Sequence, residues 1–100
     1  MYEQAVIWGV VRDPPCLWRE WADGAVVYNE ATGDTHRLNP LAAEMFHSLL
    51  AEPATLPQLT ERVAHSIGIE IDEELARRVK AVVRQLRSFG LLYSCEPALP

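Results

Sequence analysis

Five of the chain's nine bases fall in one stretch: Arg77, Arg78, Lys80, Arg84 and Arg87. Cations so grouped suit carboxylates or phosphates, and a guanidinium pairs bidentately with either. No other chemistry is concentrated in this way. His36, His47 and His65 stand singly, with no H-x₃-H or paired-cysteine spacing. A zinc site needs three or four converging ligands, so each histidine reads as a solvated or core residue. Glu73 and Glu74 are adjacent and point to different faces of a helix, where they suit its positive end rather than acid–base work. Cys16 with His36 is the one conceivable nucleophile pair, but no third, orienting group is signalled. No catalytic residue, metal site or cofactor is expected. Cys16 and Cys95 lie near opposite ends and match no CxxC pattern; a disulfide across that long loop is left open, with free thiols the default of a cytoplasmic chain.

The basic stretch stands out against an acidic body. The 100 residues carry 14 acids against nine bases, a net charge of -5. Eight of those acids and only three of the bases fall in residues 1–53. Such a balance argues against non-specific nucleic-acid binding, which needs cations to displace phosphate counterions. The opening residues lack the cationic start and apolar core of a signal peptide, and no apolar run approaches the ~18–20 residues of a membrane span. An apolar fraction of 49% with 23% charge reads as one small globular domain over residues 1–100.

The elements that must hold the bases divide into a β half and an α half. Residues 5–11 are β-branched and aromatic, and stop at Arg12-Asp13-Pro14-Pro15. Residues 17–21 predict a second strand. Residues 25–29 and 34–38 flank Glu30-Ala31-Thr32-Gly33 as a hairpin. Its short polar second strand, carrying Asp34 and Arg37, suits an exposed edge. Asn39-Pro40 then opens a helix with Ala42, Met45, Phe46, Leu49 and Leu50 on one face. Thr55 and Gln58 form a capping box for a second helix burying Leu56, Leu59, Val63 and Ile67, with Gly68 as its stop. Ile69 and Ile71 are expected to tack the connection to the core. Asp72 caps a third helix whose core stripe is Leu75, Val79, Val82, Leu86 and Phe89, ending at Gly90. Residues 91–93 predict a last extended segment, and residues 94–100 a frayed tail. Of Trp8, Trp18 and Trp21, two are expected over the sheet and one at a protein interface.

The fold class is therefore α+β, winged-helix-like, with antiparallel strands and a hairpin placed before three helices. With its motifs "THRLNPLAAEMFHSLL", "PATLPQLTERVAHSIGIEID" and "VKAVVRQLRSFGLL", the chain resembles the PqqD-like family over about residues 17–92. These small peptide-binding domains are called RiPP recognition elements. The Trp-rich front most resembles the branch found beside HPr-kinase-like proteins, called HPr-rel-A. Residues 1–16 lie outside the usual pattern, as an extra strand or a dimer contact.

The resemblance implies a non-catalytic chaperone. It would bind the leader of a ribosomally made precursor peptide as an added strand on the hairpin's outer edge, beside the third helix, and present it to a modifying enzyme. On this chain the edge maps to Asp34, Thr35, His36, Arg37 and Leu38. Helical spacing offers Ala76, Lys80, Val83 and Arg87, with Arg84, as a mixed apolar and basic wall suited to an acidic, amphipathic leader. A homodimer through the N-terminal strand is left open. Two other classes remain: a winged-helix DNA-binding regulator, with only Gln85 to read base edges, and an adaptor subunit of a multienzyme assembly.

Overall fold

The computed structural model describes residues 4–13 and 15–95. Antiparallel strands precede three helices, the α+β arrangement expected from the sequence. The strands β1 (Ile7–Val10), β2 (Cys16–Trp21), β3 (Gly24–Asn29) and β4 (Asp34–Leu38) come first. Helices α1 (Pro40–Ala51), α2 (Leu56–Ile67) and α3 (Glu73–Ser88) follow, with the two-residue β5 (Ala54–Thr55) before α2 and β6 (Leu92–Cys95) at the end.

The strands form two sheets, ordered β2-β3-β4 and β5-β1-β6. β1 ends at Val10 and β2 starts only at Cys16, directly after Pro15, which supplies no ladder donor. β1 is the middle strand of the second sheet, with Trp8 opposite both Ala54 and Ser94. Ser94 and Cys95, expected in the frayed tail, are therefore paired strand residues; the remainder of that tail lies outside the described residues.

Register fixes the two faces of the β2-β3-β4 sheet. Trp18, Val27 and His36 share one row, and Glu20, Ala25 and Leu38 another, on the face toward the helices. Trp18 meets Phe46 of α1 edge-on at 5.2 Å between ring centroids, and Glu20 pairs with His47 of α1 at 3.5 Å. The two-residue period sends Leu17, Arg19 and Trp21, Val26 and Tyr28, and Thr35 and Arg37 to the opposite face.

Each helix begins where its cap predicts. Asn39 accepts from the Ala42 amide at 2.8 Å, Asp72 from Leu75 at 2.8 Å, and the Thr55–Gln58 box closes in both directions at 3.3 and 3.0 Å. Phe46, Met45, Leu49, Leu59 and Leu86 are fully buried between the helices and sheets. Side chains of this kind contribute about 1.5–3 kcal/mol each when buried, so this cluster carries most of the fold.

The isoleucines depart from expectation. Ile67, Ile69 and Ile71 are 46%, 47% and 53% exposed. α2 instead buries Thr60 and Ala64 beside Leu56, Leu59 and Val63. Thr60 tolerates burial because its hydroxyl donates to the Leu56 carbonyl at 2.8 Å. With the stripe shifted, Ile67 falls at the rim, and the connection to α3 runs over the surface. Val83 joins the α3 core, while Phe89 is only half-buried.

Candidate functional site

β4 pairs with β3 alone among the described residues, so it is an edge of its sheet. Half of its backbone N–H and C=O groups point away from β3, a template for any extended chain. The same strand is short, and its flanking Thr35 and Arg37 side chains are exposed.

What stands beside this edge is decided at the C-terminal end of α3. His36 stacks on Phe89, with centroids 3.9 Å apart and planes 11° from parallel. Buried Asn29 of β3 donates through Nδ2 to the Phe89 carbonyl at 3.0 Å, and its Oδ1 accepts from the Ala31 amide at 2.9 Å. One side chain thus ties the hairpin loop and the end of α3 together. The chain then turns at Gly90, whose φ of +78° an L side chain rarely adopts.

Counting back from Phe89 by four, seven and eleven residues gives Gln85, Val82 and Arg78 on one side of α3. Arg78 lines a cavity of about 520 Å³ together with Gly24, Asn39 and Trp21, at the Leu38 end of β4. Phe89 at one end of that stripe thus lies against His36, midway along β4, and Arg78 at the other end lines the cavity beside Asn39, just past the strand.

The α3 residues expected to form the wall lie elsewhere. At about 100° per residue, Lys80 and Phe89 fall on opposite sides of the helix. Lys80, Val83, Arg84 and Arg87 surround a cavity of about 490 Å³ with Trp8 and Leu56, and Ala76 and Lys80 line a neighbouring one with Ile71. Arg87 sits over the Trp8 ring, 5.4 Å from its centroid. Val83 is buried, at 1% exposure. The structure brings Asp34–Leu38 together with the Arg78–Phe89 side of α3, and not with the Lys80–Arg87 side. No periodicity distinguishes these two flanks of the core stripe; only the stacking of His36 does.

The remaining candidates do not converge. Among the described residues no three His, Cys, Asp or Glu side chains are grouped to hold a metal ion. Cys16 opposes Asn29 while His36 opposes Val27, with β3 between the two side chains. Both cysteines are free thiols. Burial, reinforced by the Glu30 carboxylate, pushes the Cys16 thiol pKa up, away from nucleophilic thiolate. Among the described residues no helix is long and apolar enough to cross a membrane.

The described residues thus form a small α+β domain with one open antiparallel edge beside the end of α3. The chain belongs to the PqqD family: the family model described as "Coenzyme PQQ synthesis protein D (PqqD)" matches residues 24–92, from β3 into β6. No curated protein and no solved structure gives a match. PqqD-family members are peptide-binding, non-catalytic partners of modifying enzymes.

Proposed function

We propose that this chain captures the leader of a ribosomally made precursor peptide as a strand added to β4 and presents it to a separate modifying enzyme. The observation that carries this reading is the unpaired β4 edge, with Phe89 stacked on His36 directly beside it. The module acts in the cytoplasm and contributes no catalytic group. The tryptophans of β1 and β2, ahead of the matched span, support placing it in the HPr-rel-A branch.

Strand pairing alone gives too little affinity. Each backbone hydrogen bond nets about 0.5–1.5 kcal/mol, while ordering a peptide residue costs about 1–2 kcal/mol. Apolar leader side chains must therefore bury themselves, each contributing about 1.5–3 kcal/mol. Asp34, Thr35, His36, Arg37 and Leu38 supply the backbone edge. Half-buried Phe89 offers the apolar wall, and Arg78 meets an acidic leader residue near Leu38. The bases on the other side of α3, Lys80, Arg84 and Arg87, add long-range attraction to the same acidic leader.

The test is a titration of synthetic precursor leaders, acidic and amphipathic, into isotope-labelled protein. Amide shifts are expected along residues 34–38 and at Arg78, Gln85 and Phe89. Shifts confined to other elements, or none at saturating peptide, would defeat the reading.

A further inference from the structure

An antiparallel sheet with one solvated face normally alternates apolar residues inward with polar residues outward. The β2-β3-β4 sheet breaks that rule on its outer face. Leu17 and Tyr28 are 58% and 37% exposed there, around half-buried Val26, while Trp21 at the strand end, 52% exposed, also borders the Arg78 cavity. No helix covers them: α1 packs on the opposite face, against Trp18. Arg19 and Arg37 flank Val26 in one cross-strand row. Neither guanidinium makes a hydrogen bond or ion pair with a described residue. The carboxylates of these strands, Glu20 and Asp34, fall on the helix-facing rows instead. A chain of net charge -5 thus keeps one face apolar, cationic and free of carboxylates.

We infer that this outer face docks a protein surface with an apolar centre and an acidic rim. Resting on the function proposed above, its occupant is the modifying enzyme that receives the leader. Charge argues against a second copy, because a two-fold contact would oppose Arg19 and Arg37 to themselves with no carboxylate between them. Opposite charge would steer such a complex and let it release after modification. A leader added to β4 widens the face by one strand, so the enzyme meets the carrier and its cargo on one surface.

Arg19→Glu and Leu17→Ser test the inference, since both side chains are exposed on β2, two strands from the leader edge. The probe is the purified peptide-modifying enzyme that acts on the leader-bearing precursor, with affinity followed by biolayer interferometry at several salt concentrations. Each substitution is expected to weaken the enzyme complex at least tenfold, and Arg19→Glu to flatten its salt dependence. Leader affinity, measured separately by fluorescence polarisation, stays within twofold of wild type. Unchanged enzyme affinity in both variants overturns the docking face, as does a wild-type chain that fails to bind the enzyme. A chain that sediments alone as a dimer, and that either substitution returns to monomer, overturns it in favour of self-association. Loss of leader binding by the wild type counts against the proposed function and leaves the enzyme titration to be judged by itself.

Discussion

The imidazole of His36 lies flat on the ring of Phe89, 3.9 Å between centroids, and this contact joins the edge strand to its helical wall. His36 Nε2 is buried there without a hydrogen-bond partner among the described residues. Leaving a polar nitrogen dry costs stability. The stack and the adjoining Asn29–Phe89 hydrogen bond offset that cost and hold β4 at a fixed distance from α3. A peptide groove needs that constancy more than it needs any one polar contact.

Phe89→Ala should therefore affect binding more than folding. A fully buried Phe costs about 3–5 kcal/mol when cut to Ala, and half-buried Phe89 should cost about 2 kcal/mol by urea unfolding. Leader affinity should fall at least tenfold, because the wall and the stack are lost together. Phe89→Leu should recover most of the stability and little of the affinity. Equal recovery of both would mean that Phe89 acts only through the core.

Charge reversal separates the two flanks of α3. Arg78→Glu places an acid at the Leu38 end of β4 and should weaken an acidic leader about tenfold at low salt. Arg87→Glu changes the overall field equally but removes a cation from over Trp8, on the far side. It should slow association at low salt and lose that effect near 0.5 M, where the Debye length is only a few ångströms. If Arg87→Glu weakens binding more than Arg78→Glu at high salt, the leader contacts the Trp8 side instead.

Caps, hairpin and helix stripes were legible because each is written in local chemistry: Asn39-Pro40, Thr55 with Gln58, Asp72, Gly68 and Gly90. The edge strand was legible for the same reason, as a short polar run after a four-residue turn. The wall was not. Periodicity assigns Phe89 to the core stripe with Leu75, Val79, Val82 and Leu86, and only tertiary packing leaves it half-buried against His36. The β5-β1-β6 sheet was hidden similarly, since a two-residue strand at Ala54–Thr55 has no periodicity to read. Ile67 misled because its spacing fits the α2 stripe, while the pairing of the Thr60 hydroxyl with Leu56 made Thr60 the buried residue.

Gly24 and Gly33 are both glycines of positive φ in the β2-β3-β4 sheet, yet their alanine variants should differ sharply. At Gly24, φ is +149° and an added Cβ would lie 2.4 Å from the Leu38 carbonyl oxygen, in the backbone of β4 itself. Neither group can rotate away, so Gly24→Ala should cost about 3–4 kcal/mol, the range of a forced backbone clash. At Gly33, φ is +78° with nothing within 4 Å of the new Cβ, so only the left-handed backbone strain of about 1 kcal/mol applies. Urea midpoints should move accordingly. Equal shifts would show that Leu38 yields freely and that β4 is not held in register at this end.

The Cys16 thiol gives a pH signature with a definite sign. Burial first, and the Glu30 carboxylate second, raise its pKa in the folded chain. The unfolded thiol loses its proton earlier as pH rises, so between the two pKa values the native state binds more protons and stability falls with pH. The contribution is complete below the ordinary thiol range and is lost as pH climbs through that range toward the raised folded pKa. The difference in urea midpoint between wild type and Cys16→Ala should therefore shrink steadily over that interval. Mass spectrometry after brief iodoacetamide treatment at pH 8 should find exposed Cys95 modified well before Cys16. Faster modification of Cys16 would mean that the thiol is activated rather than suppressed, and that its environment beside Glu30 is not the desolvating one that its half-buried place on β2 implies.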